Sequence, residues 1–225
     1  MSYGEFLPST KYLAVYHLAD GDNANGNAAY DLTLSNTTVV DGKFGSALKT
    51  SSNNGVITWT GTCGITPTTG FTYHLWYKHV SSGEYTTGSY ILTHGINKAY
   101  NQAACLIWAE NTSTITWDWN VAGVAISSWS MNTTSFDLYS MTWANGGLGS
   151  FYVNGKFLGS KSGTPAGTST ATERFNLGSY LWDPPRRRYV NGIFDECIIE
   201  ARPWTYQEIK LYYEQAKGRI NPRII

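Results

Sequence analysis

The stretch FTYHLWY at residues 71–77 shows the most regular alternation of side chains in the sequence. Successive side chains of a β-strand point to opposite faces, so the odd-numbered positions share one face and the even-numbered positions share the other. Aromatic and β-branched residues favour strands because they fit a pleated surface. The stretch therefore predicts a β-strand.

Similar short runs lie on both sides of this strand. The pair Asn154-Gly155 separates FYV from KFL, and this is a strong hairpin signal because a type I′ turn requires positive φ at both central residues. A further turn is predicted at Asp41-Gly42. Other strands are predicted at residues 13–18, 90–93, 104–109, 114–119, 138–143, 175–177 and 189–199.

One helix is predicted near the end of the sequence. Thr205 and Glu208 have the spacing of a capping box. Ile209 and Ala216 then recur at helical spacing, and Gly218 is placed to end the helix. Many short strands and one late helix predict an all-β fold: a two-sheet antiparallel β-sandwich, or jelly roll, with one short C-terminal helix.

The composition fits one β domain and excludes several classes of protein. A chain of 225 residues suits a sandwich, which often uses ~200–250 residues as one unit, so we expect a single domain over 1–225 with a core at about 12–218 and short terminal arms. Sixteen basic residues balance 16 acidic ones, which gives no argument for binding nucleic acid or an anionic membrane. No apolar run approaches the ~20 residues of a transmembrane helix.

The beginning of the sequence and the cysteines bear on the cellular compartment. No basic segment followed by an apolar one stands at the start, so we expect no signal peptide and synthesis in the cytoplasm. Cys63, Cys105 and Cys197 lack metal-binding spacing. We expect reduced, mostly buried thiols, with a disulfide plus one leftover thiol as the alternative.

Several pieces of the sequence form a recognisable pattern when they are taken in order. They are YLAVYHLADG near the start, DGKFGSAL at 41–48, FTYHLWYK at 71–78, LYSMTWANGG at 138–147, FYVNGKFLGS at 151–160, FNLGSY at 175–180 and NGIFDECIIEARPWTYQEIKLYYEQAKG at 191–218. The most specific part is the YVNG hairpin followed by a late G-x-x-DE strand and a short helix. The ordered set resembles the laminin G-like (LamG, concanavalin A-like lectin/glucanase) jelly-roll family. The resemblance implies two antiparallel sheets with the first and last strands close together.

Asp195 is the first candidate for a functional residue. In a regular strand it shares an apolar face with Cys197 and Ile199, so we expect its carboxylate to point inward, where it has to be hydrogen-bonded, paired or bound to a metal. In similar domains the matching Asp holds strand ends together, and some members bind calcium nearby. A structural role and a calcium site therefore both stay open, with no cofactor strictly required. Candidate calcium partners are Asp20, Asp22 and Asp31.

The glucanases of the same superfamily raise the question of hydrolysis. Retaining glycosidases need two carboxylates ~5–5.5 Å apart, and the resemblance places them in an E-x-D-x-x-E pattern on one strand. The sequence DECIIE at 195–200 puts Asp195 and Glu200 on opposite faces, and only Glu196 and Glu200 share one. No Ser or Cys lies in a nucleophile motif. We therefore expect no enzymatic activity.

Aromatic residues are the usual means of binding sugars, because a ring packs on the apolar face of a pyranose. Trp117 and Trp119 share a strand face and are candidates, although burial in the core is the default for a strand Trp. Tyr180, Trp182 and Tyr189 are expected to be exposed, because they flank the loop DPPRRR at residues 183–188.

This loop is the strongest charge anomaly in the chain. Arg186, Arg187 and Arg188 follow two prolines and lie among aromatic residues. Three adjacent arginines are suited to contact an acidic neighbour, an anionic glycan or another subunit. A solvated loop is the alternative.

These observations favour a non-catalytic surface-binding protein. We expect a virion protein, a phage capsid or tail decoration, whose lectin-like jelly roll binds glycans and is displayed on the particle surface. The alternative is a stand-alone carbohydrate-binding lectin module of a cellular surface, and a glycoside hydrolase is the least favoured. The expected partners are carbohydrate or a larger protein assembly, with a homo-oligomer as a further option, and neither nucleic acid nor membrane insertion.

Overall fold

Two antiparallel sheets pack face to face in the computed structural model. The structure describes residues 12–18, 31–51, 55–61, 70–81, 89–95, 103–111, 114–118, 131–144, 147–162, 173–180 and 189–218. The predicted sandwich with one C-terminal helix is confirmed. Within the described ranges no helix is long and apolar enough to cross a membrane.

The first sheet has eight strands in the described part of the chain. They are β1 (Tyr12–Tyr16), β3 (Thr37–Asp41), β4 (Ser46–Thr50), β6 (Phe71–Ser81), β10 (Asp137–Ala144), β11 (Leu148–Val153), β12 (Lys156–Ser162) and β14 (Asn191–Glu200). Their order is β12-β11-β10-β6-β14-β4-β3, and β1 also pairs with β14, so the first and last strands are neighbours as the resemblance implied.

The second sheet has six described strands, which are β2 (Thr33–Ser35), β5 (Val56–Gly61), β7 (Ser89–Gly95), β8 (Ala103–Asn111), β9 (Thr114–Asp118) and β13 (Glu173–Leu177). Their order is β2-β5-β13-β7-β8-β9. The chain passes from this sheet to the first one at Asn36, whose φ of +49° lies between β2 and β3. Strands β2, β3, β4 and β5 are not among the strands predicted from the sequence.

Strand β6 is buried on both faces, which explains its run of aromatic residues. Its odd-numbered positions, from Phe71 to Tyr77, belong to the core between the sheets. On the other face Trp76 packs against Tyr213, with ring centroids 6.1 Å apart, and His74 packs against Trp204 at 4.3 Å. The outer face of this sheet is therefore partly covered by the C-terminal segment.

That segment ends in helix α1 (Tyr206–Lys217), which has the predicted capping box. The Thr205 hydroxyl accepts the Glu208 N–H at 3.3 Å, and a Glu208 carboxylate oxygen accepts the Thr205 N–H at 2.7 Å. Ile209 and Ala216 are the helix residues buried against the sheet. The helix thus begins at a fixed point beside strand β11.

The hairpin between β11 and β12 turns at Asn154-Gly155, as predicted. Asn154 has φ +52° and Gly155 has φ +71°. The Asn154 side chain also anchors the turn, because its Oδ1 accepts the Leu138 N–H at 2.9 Å and its Nδ2 donates to Asp137 Oδ1 at 2.7 Å. The hairpin is thereby fixed to the first residues of β10.

The expected burial of the cysteines is confirmed for Cys197, which is a free and fully buried thiol. Burial raises its pKa, so the thiol stays protonated. Cys63 and the side chain of Cys105 lie outside the described part of the structure.

Candidate functional site

The Asp195 carboxylate holds the turn between β3 and β4. Its Oδ2 accepts the N–H groups of Lys43 at 2.6 Å and of Phe44 at 2.9 Å. Gly42 leaves room for this oxygen, because a Cβ at that position would lie only 2.5 Å from it. Burial raises the pKa of Asp195 to about 7, and the bonds from backbone N–H groups oppose the shift. The carboxyl has the structural hydrogen-bonding role that the sequence suggested.

The face predicted for Asp195 is nevertheless wrong. Glu196 forms a β-bulge with φ +48°, so that Asp195 pairs with Trp76 while Cys197 pairs with Leu75. The extra residue reverses the alternation of the strand. Asp195 therefore lies on the outer face with Trp76, whereas Cys197 lies in the core between the sheets.

The bulge also gives Glu196 a partner of its own. Its Oε1 lies 2.6 Å from Nδ1 of His17, which follows strand β1. The Glu196 side chain is only 5% exposed, whereas that of His17 is 39% exposed. This contact fastens the end of β1 to the bulge of β14.

The calcium prediction is not decided by these residues. Asp20 and Asp22 lie outside the described part of the chain, and Asp31 is exposed at the start of a described segment. Among the described residues there is no group of three or more His, Cys, Asp or Glu side chains that could hold a metal ion. Calcium binding with Asp20, Asp31 and Asp195 therefore stays a prediction.

Asp195 and Glu200 do not have the geometry of a glycosidase pair. Because of the bulge they share the outer face, and their β6 partners Trp76 and Thr72 are four residues apart, about 13 Å along a strand. Glu200 is also fully engaged, since Arg202 Nε donates to Oε1 at 2.8 Å and Trp204 Nε1 donates to Oε2. A separation of ~5–5.5 Å would be needed for a retaining mechanism.

The predicted aromatic sites are buried where the structure describes them. Trp117 is 2% exposed in the core, with ring centroids 5.0 Å from Phe151 and 6.0 Å from Tyr139, so it is not available to a sugar at the surface. The expectation that Tyr180 and Tyr189 are exposed is wrong, because they are 7% and 6% exposed.

The burial of Tyr180 has a specific cause. Its ring stacks on Tyr90 of β7, with centroids 4.6 Å apart. Sequence reasoning could not find this partner, which lies ninety positions earlier in the chain. Trp119, Trp182, Arg186, Arg187 and Arg188 lie outside the described residues, so the loop prediction stays a prediction.

A different set of rings is exposed on the outer face of the first sheet. We call Tyr152, Phe157 and Tyr206 the aromatic strip. The Tyr152 ring contacts Phe157 of the neighbouring strand at a centroid distance of 5.5 Å and stacks on Tyr206 of the helix at 6.1 Å. Phe157 is 48% exposed and Tyr206 is 42% exposed, whereas Tyr152 between them is 6% exposed.

Hydroxyl groups continue the strip along the same strands. Ser150 pairs with Ser160 two positions before the Tyr152–Phe157 pair, on the same face of the sheet. The Ser150 side chain hydrogen-bonds Tyr152, which opposes the rise in the pKa of Tyr152 caused by burial. A pair of hydroxyls and a pair of rings thus lie side by side on the outer face of the sheet.

Local structure explains why the strip forms. Phe151 and Val153 enter the core, so Tyr152 has to point outward, where Trp204 and Ile209 support it from the helix side. The tight turn at 154–155 brings β12 back with Phe157 opposite Tyr152. The capping box fixes the start of the helix, and with it Tyr206.

The family of the chain follows from a match to its own sequence. A profile described as the concanavalin A-like lectin/glucanases superfamily (Laminin G 3) matches residues 46–210. The chain belongs to this superfamily. No curated protein matches the sequence of the chain.

Solved structures with this fold include both binding domains and parts of enzymes. The binding domain of Paraclostridial Mosquitocidal Protein 1 aligns with a TM-score of 0.68 at 14% identity, over 92% of this chain and 53% of that one. Domain 4 of AbnA, a GH43 extracellular arabinanase from Geobacillus stearothermophilus, was solved in complex with arabinotriose. It aligns with a TM-score of 0.66 at 21% identity, over 89% of this chain and 97% of that one.

The third similar structure is a sialidase. Trypanosoma rangeli sialidase in complex with sialic acid aligns with a TM-score of 0.73 at 14% identity, over 94% of this chain. The present chain spans only 34% of the sialidase and 53% of the mosquitocidal domain. At these identities the likenesses establish the shared fold.

Proposed function

We propose that this chain is a non-catalytic carbohydrate-binding domain and that the aromatic strip is its contact surface. The observation that carries the proposal is the pair of half-exposed rings, Phe157 and Tyr206, on a supporting third ring and next to paired hydroxyls. Aromatic faces pack on the apolar face of a pyranose, and serine hydroxyls both donate to and accept from sugar hydroxyls.

The aromatic strip is better explained by a ligand than by stability. A protein gains little by leaving two large rings half exposed side by side, and clustered exposed apolar groups often mark interaction sites. Membership in a lectin and glucanase superfamily makes carbohydrate the first candidate. The domain of the arabinanase that was solved with arabinotriose shows that a related fold accompanies a sugar ligand in another protein.

The non-catalytic part of the proposal is supported by the carboxylates of β14. Asp195 holds a turn, Glu196 contacts His17, and Glu200 accepts from Arg202 and Trp204. Each of these side chains therefore has a structural role. Display on a virion, the finer part of the sequence-based prediction, gains no support from the likenesses described above, which are to the binding domain of a mosquitocidal protein, an arabinanase domain and a sialidase.

Affinity electrophoresis through gels that contain a soluble polysaccharide tests the proposal. Arabinan, xylan, laminarin and lichenan are suitable neutral probes. We expect at least one of them to retard the protein, and we expect Phe157→Ala and Tyr206→Ala each to weaken that retardation about tenfold, as loss of a central aromatic contact does.

Val39→Ala is the matched control, because Val39 is 59% exposed on β3 at the opposite edge of the same sheet. It should leave retardation unchanged. If no polysaccharide retards the protein, or if the control weakens binding as much as the strip variants do, the proposal is wrong. An assay for released reducing ends in the same incubations should stay at background.

A further inference from the structure

We infer that the aromatic strip binds several consecutive units of a neutral polysaccharide chain, rather than a single sugar or an acidic glycan. The inference rests on the proposed function and deepens it, since it specifies the ligand of the same surface. Three features of the strip carry it: its openness, the arrangement of its rings and its lack of charge.

Among the residues that the structure describes, the aromatic strip forms an open surface and not a pocket. Sites that enclose a small ligand bury most of its surface, about 70–90%. Phe157 lies on an edge strand of the sheet, and Tyr206 lies in the first turn of the helix, and both rings are nearly half exposed. Such a surface contacts one side of a ligand and leaves the other side in solvent. A chain that continues in both directions fits such a surface better than it fits a pocket.

The arrangement of the rings requires more than one sugar unit. Phe157 and Tyr206 both contact Tyr152, at 5.5 and 6.1 Å between centroids, but they come from different elements of the fold. One pyranose is about as wide as one aromatic ring, so a single unit can stack on only one of the exposed rings. Contact with both of them therefore needs consecutive units of a chain. Linked contacts of this kind raise affinity, because the second one becomes intramolecular.

The charges near the strip do not favour an acidic ligand. On the outer face of β11 and β12 the described side chains are all uncharged. Lys156 and Lys161 pair with Val153 and Gly149, so they occupy positions of the other face. Arg202 is engaged, since its Nη1 donates to Glu208 Oε1 at 2.8 Å. The outer-face residues are Leu148, Ser150, Tyr152, Phe157, Ser160 and Ser162.

Lys210 is the cation to test explicitly. It is exposed on the helix and lies next to Gly155, where a Cβ would come within 3.4 Å of its Cα. It therefore stands beside the hairpin turn, on the side of the ring pair away from the serines. A neutral ligand stacked on the rings should be insensitive to its charge.

The experiment uses oligosaccharides made from whichever neutral polysaccharide retards the protein, partially hydrolysed with acid and separated by length from one to six units. Each length competes with the intact polysaccharide in the gel, and polygalacturonate serves as an acidic probe. We expect the three-unit oligosaccharide to compete at least about tenfold better than the single sugar, and we expect Tyr206→Ala to reduce this ratio to about threefold or less. Lys210→Ala and Val39→Ala should leave the ratio unchanged.

The outcomes separate the inference from the function on which it rests. If a single sugar competes as well as three units, or if polygalacturonate binds better than every neutral polysaccharide and Lys210→Ala abolishes that binding, the inference is overturned while carbohydrate binding stands. If none of the polysaccharides binds, the proposed function fails, and the inference fails with it.

Discussion

The buried carboxyl of Asp195 holds the turn between β3 and β4, so its protonation state makes the stability of the protein depend on pH. The pKa of the buried carboxyl is about 7 against 3.8 for an ordinary Asp. A pKa raised in the folded state means that the protonated carboxyl favours folding. This contribution is complete below pH 3.8, and it is lost as the pH rises through about 7.

Replacement of Asp195 by Asn should remove this dependence, because the amide does not titrate while its oxygen still accepts the N–H groups of Lys43 and Phe44. The free energy of unfolding of the wild type, minus that of Asp195→Asn, should fall as the pH is raised from about 4 to about 8. Urea unfolding of both proteins at four pH values measures this difference in the free energy of unfolding. Asp31→Asn, at an exposed site, is the control. A difference that is constant over this range would show that Asp195 does not titrate as described.

For single residues, sequence reasoning predicted burial better than it predicted the strand face on which a side chain lies. The burial of Asp195 and Cys197 followed from the apolar strand around them. The strand faces on which they lie could not be predicted in the same way. Glu196 between them has a positive φ, which few non-glycine residues adopt, and no local sequence pattern indicates this bulge. Burial of Tyr180 likewise depends on Tyr90, a tertiary contact.

The β11–β12 hairpin is the element on which the aromatic strip depends. Gly155 has φ +71°, and a Cβ there would approach Tyr213 Cβ at 3.1 Å. Gly155→Val should lower the free energy of unfolding by about 1–3 kcal/mol, since a β-branched residue resists positive φ and also presses on the helix. Gly155→Asn should cost less, because Asn tolerates this region.

Gly218→Ala provides the control for this series, because nothing lies within 4 Å of the added Cβ and φ there is −85°. Urea unfolding measures the change in the free energy of unfolding for each of the three variants. Should Gly155→Val unfold at the wild-type urea concentration, the turn would not have the conformation described. Should Val and Asn cost the same, crowding against the helix and not φ would be the cause.

Among the elements, those with local signals were predictable and those without were not. A few neighbouring residues are enough to predict the Asn-Gly turn, the capping box and the alternation of β6. The structure confirms all of these. Strands β2 and β3 are short, and a single residue, Asn36, carries the chain from one sheet to the other between them. Their existence depends on partners β5 and β4, so no period in their own sequence reveals them.

For the whole molecule, the order of the elements was enough to predict the sandwich, whereas the candidate site was not predictable. The aromatic strip takes one ring from β11, one from β12 and one from α1, and these meet only because the helix returns over the outer face of the first sheet. In the sequence, Tyr152 and Tyr206 are 54 positions apart, and each reads as an ordinary aromatic residue of its element.

Hydroxyl-radical footprinting, with and without the retarding polysaccharide or its longest oligosaccharide, tests whether the aromatic strip is the contact surface, because it reports which exposed side chains the ligand covers. We expect Phe157 and Tyr206 to become protected, while Val39 and Leu211, which are 59% and 58% exposed and do not belong to the strip, should react at unchanged rates. Protection of Val39 or Leu211, or of other surface residues, with Phe157 and Tyr206 still fully reactive, would contradict it.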